Sequence, residues 1–167
     1  RVLLDTNVYG VVVERAMLGL LASLGSSRTI LAYGFQIIRK ELRDTPKTAT
    51  YGKRSVRNLL LQSYDSLVRA HEFQLTPVIE AIAEEYERNY AGGIAVRKLS
   101  ADFLIVACAA IHHLDVVVTE DSHSMASAPA LRAYEKVNKV NSLRTPRFYK
   151  LEKLQRLLNW YGNGRIP

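Results

Sequence analysis

The apolar segment 101–113, with the sequence ADFLIVACAAIHH, constrains the fold more than any other part of this chain. At helical spacing it is apolar on nearly every side, and such a helix must be buried by the elements around it. Short apolar runs typical of buried strands occur at 2–4, 29–33 and 115–119. Because helical patterns separate these runs, the sequence predicts a three-layer α/β/α fold with a short, mostly parallel sheet.

Capping and turn residues set the predicted boundaries of the helices. Thr76-Pro77 is a favourable helix start, while Ser55 and Ser100 are predicted N-caps of the helices that follow them. Asp5-Thr6-Asn7 is predicted as a polar loop, and 44–54 as a basic loop. Apolar spacing predicts further helices over 13–24, 35–42, 129–139 and 151–161, with short extended pieces at 73–75 and 147–150.

The composition is that of a globular protein. With 167 residues, the chain is expected to form one domain over 1–167. Its 48% hydrophobic and 23% charged residues argue against disorder and against a coiled coil. No apolar run reaches the roughly 18 residues of a membrane span. A lone cysteine, Cys108, excludes an internal disulfide, which favours a reducing, cytoplasmic location.

The chain carries a net charge of +7, which favours a polyanionic partner such as nucleic acid. Charge that serves solubility alone is the other explanation. Basic residues are concentrated in the segments 39–57 and 132–156. The predicted RNA-binding residues are Arg39, Lys53, Arg54 and Arg57.

Three aspartates and one glutamate are predicted to converge at one edge of the sheet. Asp5 follows the first strand, Asp121 follows the strand 115–119, and Asp102 lies in the first turn of the buried helix. Glu41 borders the buried face of the helix after the second strand. Each acid alone also has an ordinary explanation as a turn, cap or solvated residue. Together they would repel one another unless they held a cation such as Mg²⁺.

The motifs that carry these acids resemble those of the PIN-domain ribonucleases, especially the compact prokaryotic VapC-type toxins. They are RVLLDTN at 1–7, EL at 41–42, SADFLIVACAA at 100–110 and VVVTED at 116–121. Their order covers nearly the whole chain.

The resemblance implies an acidic centre that binds Mg²⁺ or Mn²⁺ through Asp5, Glu41, Asp102 and Asp121, with hydrogen-bond support from Asn7 and Thr119. The implied activity is that of a metal-dependent endoribonuclease that hydrolyses RNA phosphodiesters. Either a toxin with an antitoxin partner or a housekeeping enzyme fits this activity, and the resemblance also implies a homodimer. The alternative function is a non-catalytic RNA-binding or scaffold module.

Two departures from the family pattern affect the assignment of the fourth metal ligand. The family often has another acid two residues beyond the Thr-x-Asp motif, where this chain has His123. Glu120 is itself acidic and competes with Asp121 for the role of fourth ligand, although strand alternation disfavours both facing one metal.

Other reactive or aromatic residues have simpler explanations. His112-His113 is predicted as a helix C-cap rather than a zinc site, and Cys108 as a core thiol. Tyr51, Tyr149 and Trp160 are suited to base stacking, but core or interface packing is the better explanation.

Overall fold

A five-stranded parallel sheet forms the centre of the fold. The structure is a computed structural model, and it describes residues 1–15, Gly19 and residues 30–162. The strands are β1 (Val2–Leu4), β2 (Ala32–Phe35), β5 (Glu72–Phe73), β6 (Val116–Val118) and β7 (Arg147–Tyr149), and a separate hairpin contains β3 (Thr50–Tyr51) and β4 (Arg54–Ser55). The order in the sheet is β5-β2-β1-β6-β7, and every neighbouring pair is parallel. The predicted three-layer α/β architecture is therefore confirmed.

Helices flank the sheet. They are α1 (Thr6–Glu14), α2 (Gln36–Asp44), α3 (Val56–Val68), α4 (Pro77–Asn89), α5 (Ser100–Ile111), α6 (Ala128–Val140) and α7 (Leu151–Gly162), with a 3₁₀ turn at Val96–Lys98. Helix α4 packs on α5 and α6, while α1, α2 and α3 pack on one another. None of the described helices is long and apolar enough to cross a membrane.

Helix α5 is buried as its composition predicts. Every residue from Ile105 to Ala110 is at most 1% exposed, and Cys108 is a core thiol. Tyr86, Phe103 and Tyr134 form an aromatic cluster against this helix, with 4.9 Å between the ring centroids of Tyr86 and Tyr134. The core therefore supports the first turn of α5, which carries Asp102.

Several predicted boundaries differ from the observed ones. Helix α1 begins at Thr6 with Asp5 as its N-cap, so Asp5-Thr6-Asn7 is not a loop. Helix α5 begins at Ser100 itself, whose hydroxyl donates to Glu87 on α4 at 2.9 Å and does not cap the helix. The second strand lies a few residues later than 29–33. Most of the predicted helix 13–24 lies outside the described residues, and α1 ends at Glu14.

The basic segment 44–54 contains a hairpin and is not a simple loop. Strands β3 and β4 pair in the register Tyr51↔Arg54 around a two-residue turn, Gly52-Lys53. Gly52 has φ +61°, a conformation that glycine adopts at no steric cost. The turn therefore places Lys53 at the exposed tip of the hairpin.

Gly34 on β2 allows helix α3 to approach the sheet closely. A Cβ at this position would meet the Tyr64 hydroxyl and lie 2.6 Å from Val68 Cγ1. Gly34→Ala is therefore expected to lower the free energy of unfolding by about 1–3 kcal/mol, measured by urea denaturation.

Gly10→Ala in α1 is the matched control for that substitution. Nothing lies within 4 Å of a Cβ at Gly10, so this change is expected to stabilise the protein by about 0.5–1 kcal/mol. Equal effects of the two substitutions would show that α3 does not pack against β2 as closely as the structure indicates.

Candidate acidic site

Asp5 lies at the carboxyl end of β1 and is held by several hydrogen bonds. Its Oδ1 accepts a bond from the Thr6 backbone N–H at 2.6 Å. Its Oδ2 accepts bonds from Asn7 Nδ2 at 2.6 Å and from the Thr119 hydroxyl at 2.8 Å. Because β1 and β6 are parallel neighbours, residues that follow the two strands meet at one edge of the sheet. Asn7 and Thr119 are thus in direct contact with Asp5.

A serine hydroxyl joins Asp102 to Asp121. Ser124 Oγ lies 2.8 Å from Asp102 Oδ2 and also contacts Asp121 Oδ2 closely. A hydroxyl has one proton, so it donates to one carboxylate and accepts from the other when that one is protonated. Asp121 Oδ1 accepts backbone N–H bonds from His123 and Ser124, each at 2.8 Å. These backbone bonds favour the charged form of Asp121.

Glu41 completes the set through α1. The Thr6 hydroxyl donates to Glu41 Oε2, so α2 is tied to the residue that follows Asp5. The hydrogen bonds therefore form two groups, one joining Asp5 and Glu41 through Thr6 and one joining Asp102 and Asp121 through Ser124. The four carboxylates come from four separate segments of the chain and are close enough to interact electrostatically.

The electrostatics of the site follow from burial. Burial raises the pKa of Asp5 to about 6, partly offset by the Thr119 and Thr6 hydrogen bonds. Burial also raises the pKa of Asp102 to about 7, with Asp5, Asp121 and Glu41 adding to the rise. For Asp121, burial raises the pKa, but the hydrogen bonds from Ser124 and His123 outweigh it, so the net pKa is lowered. No ion pair within the described residues includes any of these carboxylates.

The donor chemistry of the site suits a hard divalent cation. Mg²⁺ and Mn²⁺ prefer carboxylate and other oxygen ligands, and a cation would stabilise the charged forms that burial disfavours. Among residues 1–15, 19 and 30–162, however, no three His, Cys, Asp or Glu side chains form a ready metal site. The Thr6 hydroxyl bonds Glu41, the Thr119 hydroxyl bonds Asp5, and the Ser124 hydroxyl bridges Asp102 and Asp121. The carboxylate oxygens are suitable ligands for such a cation. A bound cation would compete with the hydroxyl groups for these oxygens.

Glu120 faces a different part of the molecule. Its Oε1 accepts a hydrogen bond from the backbone N–H of Leu151, the first residue of α7, at 2.9 Å. Its backbone N–H donates to Asn7 Oδ1 at 3.1 Å. Glu120 therefore stabilises the start of α7, which leaves Asp121 as the acid that contacts Asp102 through Ser124.

Ser124 is the site residue that sequence reasoning missed. The available signal was its position three residues after Asp121, since aspartate side chains commonly bond backbone N–H groups that follow them in turns. That pattern places the backbone of Ser124 beside Asp121. It does not reveal the contact with Asp102, which lies 22 residues away in the sequence.

The predicted RNA-binding residues occupy two different settings. Arg39 pairs with Asp65 at 3.1 Å, and Arg57 Nε donates to the Thr45 carbonyl at 2.7 Å, so both have structural partners. Lys53 and Arg54 are exposed on the hairpin and border a 510 Å³ cavity. The hairpin thus carries the two predicted RNA-binding residues that are exposed.

The fold has a counterpart among solved structures. A solved structure of FitAB bound to an IR36 DNA fragment contains a chain that matches with a TM-score of 0.54 and 22% sequence identity. The match covers 90% of this chain and 94% of that chain. No family model matches the sequence, and no match was found among curated proteins. The sheet order, the flanking helices and this match define an α/β protein with a PIN-like fold.

Removal of the Asp102 charge is expected to change how stability depends on pH in EDTA. The pKa of Asp102 rises from 3.8 to about 7 on folding. The Asp102 carboxyl therefore stays protonated to a higher pH in the folded protein than in the unfolded chain. The stability that Asp102 contributes is complete below about pH 4 and is lost as the pH rises to about 7. The Tm of Asp102→Asn, relative to wild type, should therefore rise between about pH 4 and pH 7.

The quantity to compare is the difference in Tm between Asp102→Asn and the wild type at each pH. Burial lowers the pKa of His112, which gives the wild-type curve an opposite slope in the same range, and subtraction removes that contribution. A Tm difference that stays constant over this range would contradict a buried, repelled carboxyl at Asp102.

Proposed function

We propose that this protein is a metal-dependent endoribonuclease whose catalytic centre is the acidic site. The observation that carries the proposal is the convergence of Asp5, Glu41, Asp102 and Asp121 at the carboxyl edge of the parallel sheet. Binding crevices of open α/β sheets lie at this edge. Buried carboxyls with raised pKa values are typical of functional sites rather than of solvated surface acids.

Each acid has a definite role in this proposal. All four would hold Mg²⁺ or Mn²⁺, which when bound activates water and stabilises charge on the phosphodiester oxygens. Asn7 and Thr119 keep Asp5 Oδ2 oriented, and the backbone N–H groups of 123 and 124 keep Asp121 charged and fixed. No side chain needs to act as a nucleophile.

The basic surface supports a nucleic-acid substrate. The net charge of +7 attracts phosphates, and Lys53 and Arg54 are exposed where a strand can reach them. The solved chain that shares this fold comes from FitAB bound to DNA, so the choice between RNA and DNA needs a direct comparison. We propose RNA because the motifs resemble those of ribonucleases.

A non-catalytic RNA-binding or scaffold module is the second candidate. It is favoured by the hydrogen bonds that the carboxylates make to hydroxyl groups, since within the described residues these acids form no ready metal site. Against it stands a physical argument: buried carboxylates beside a polyanion weaken binding through repulsion, so a module that merely binds RNA gains nothing from them.

We also propose an antitoxin partner and a homodimer, which the resemblance implies. The sequence has two wide apolar stripes at helical spacing, over 11–24 and 55–70, which are candidate dimer surfaces. The stripe over 55–70 does not supply one, because Leu60, Tyr64 and Leu67 of α3 are at most 5% exposed within the chain itself. The stripe over 11–24 falls largely outside the described residues. Light scattering at micromolar concentration tests the dimer, and a monomeric mass would contradict it.

Asp102→Asn and Asp5→Asn should each reduce cleavage of a labelled RNA by at least about 100-fold, since removal of a metal ligand costs at least as much as loss of its supporting partner. Cleavage should require Mg²⁺ or Mn²⁺ and stop in EDTA, and a DNA of the same sequence measures the preference for RNA.

Glu120→Gln is the matched control, because Glu120 is an acid next to Asp121 that faces α7. It should cleave at close to the wild-type rate, whereas Asp121→Asn should not. Wild-type cleavage by Asp102→Asn, or full cleavage in EDTA, would refute the metal-dependent mechanism.

Replacement of both Lys53 and Arg54 by Ala should weaken RNA binding at all sequences. Loss of two phosphate contacts should reduce the slope of log affinity against log salt by about 1.4 for a single strand. Arg88→Ala is the control, because Arg88 pairs with Glu84 on α4 at 3.2 Å and was not assigned to RNA. Equal slopes for the double variant and the wild type would exclude the hairpin from the RNA interface.

A further inference from the structure

A cavity of 250 Å³ adjoins the acidic site. Its polar lining includes Thr119 and Asp121, and its apolar lining includes Ala126, Leu131 and Phe148. Lys150 stands at the same cavity and is exposed. The cavity is thus an apolar pocket that shares two residues with the proposed catalytic centre.

We propose that this cavity binds one nucleobase of a single-stranded RNA, and that Lys150 contacts a phosphate next to that base. The inference rests on the proposed function, because it names the part of the substrate that lies beside the acidic site. It adds a binding subsite, which the metal-ligating residues do not supply.

The size of the cavity fits one ring system. Pockets for drug-sized ligands are about 300–1,000 Å³, so 250 Å³ suits a smaller flat group better than a whole oligonucleotide segment. Its lining combines polar groups with a larger apolar surface. A nucleobase likewise combines polar edges with apolar faces.

An aromatic ring is available for stacking. Phe148 packs against Tyr134 in a stacked geometry, with 5.8 Å between the ring centroids, and it is half-buried while lining the cavity. The ring is therefore held in place by the core, so it loses little conformational freedom when a base binds. Base–aromatic stacking is a main source of affinity for single strands and tolerates different bases.

Two lysines lie near the cavity, Lys150 in its lining and Lys153 over the ring of Tyr149, which also lines it. Lys150 precedes the first residue of α7, and Lys153 Nζ lies 3.8 Å from the centroid of the Tyr149 ring. The backbone phosphates of a bound strand complement these charges. Because a base must be unstacked from its neighbours to enter a pocket, the substrate is single-stranded at this position.

The proposal is tested by RNA binding in EDTA, with Ala126→Leu to fill the cavity. The probes are a fluorescent single-stranded RNA pentamer and the same pentamer with an abasic central residue, both measured by anisotropy. Wild type should bind the intact pentamer more tightly than the abasic one. Ala126→Leu should weaken binding of the intact pentamer roughly tenfold and leave the abasic pentamer unchanged.

Ala128→Leu is the matched control. It makes the same change two residues away, at an exposed position that does not line the cavity, and should bind both pentamers as wild type does. Equal weakening of both pentamers by Ala126→Leu, or no weakening, would overturn the proposal.

A competition experiment needs no variant. Nucleoside 5′-monophosphates should displace the pentamer from the wild-type protein at lower concentration than ribose 5-phosphate, which has the same phosphate but no base. Equal displacement by ribose 5-phosphate and by all four nucleotides would overturn the base-binding subsite.

The failure of this inference is distinguishable from the failure of the nuclease proposal. Base-dependent binding without any cleavage in Mg²⁺ or Mn²⁺ would support the subsite and refute the nuclease. Cleavage without base-dependent binding would support the nuclease and refute the subsite.

Discussion

The parallel pairing of β1 with β6 is the interaction on which the site depends. The register Leu4↔Val118 places Asp5 and Thr119 side by side at the end of their strands. The backbone N–H of Asp5 donates to the Val118 carbonyl at 2.9 Å, and the Thr119 hydroxyl donates to the Asp5 carboxylate. A shift of this register by one residue would turn Asp5 or Thr119 to the opposite face of the sheet. The hydrogen bond between Thr119 and Asp5 would then be lost from the acidic site.

The same edge concentrates an electrostatic cost. Burial disfavours the charged forms of Asp5 and Asp102, and their pKa values rise accordingly. Hydroxyl groups from Thr119 and Ser124 offset part of this cost by donating or accepting hydrogen bonds. The negative charges of Asp5 and Asp102 would help to hold a cation, yet burial makes these same charges unfavourable in the folded protein.

In the proposed function, the acidic site and its surroundings would contact different parts of the substrate. The acidic edge is suited to a cation and a phosphodiester, the exposed hairpin with Lys53 and Arg54 to more distant phosphates, and the cavity beside Phe148 to a base. The acidic edge and the cavity share Thr119 and Asp121. A single strand that used both would therefore be positioned by its base and by its backbone together.

The sequence by itself determined the architecture, and it predicted which acids lie at the edge of the sheet. Apolar periodicity predicted the buried helix and the parallel strands, and residues that follow parallel strands must meet at one edge. Local features were harder to predict. The hairpin depends on the Gly52-Lys53 turn. The Ser100 hydroxyl does not cap α5, because it donates to Glu87 on another helix.

Only the tertiary structure decided which neighbouring groups face the site. Glu120 and Asp121 are adjacent in sequence, yet one bonds the start of α7 and the other joins Asp102 through Ser124. The apolar stripe of α3 is equally ambiguous in the sequence, and the structure shows that the chain covers it. Periodicity reports which residues share a face of one element. It carries no information about which other element covers that face, because that depends on contacts between residues far apart in the chain.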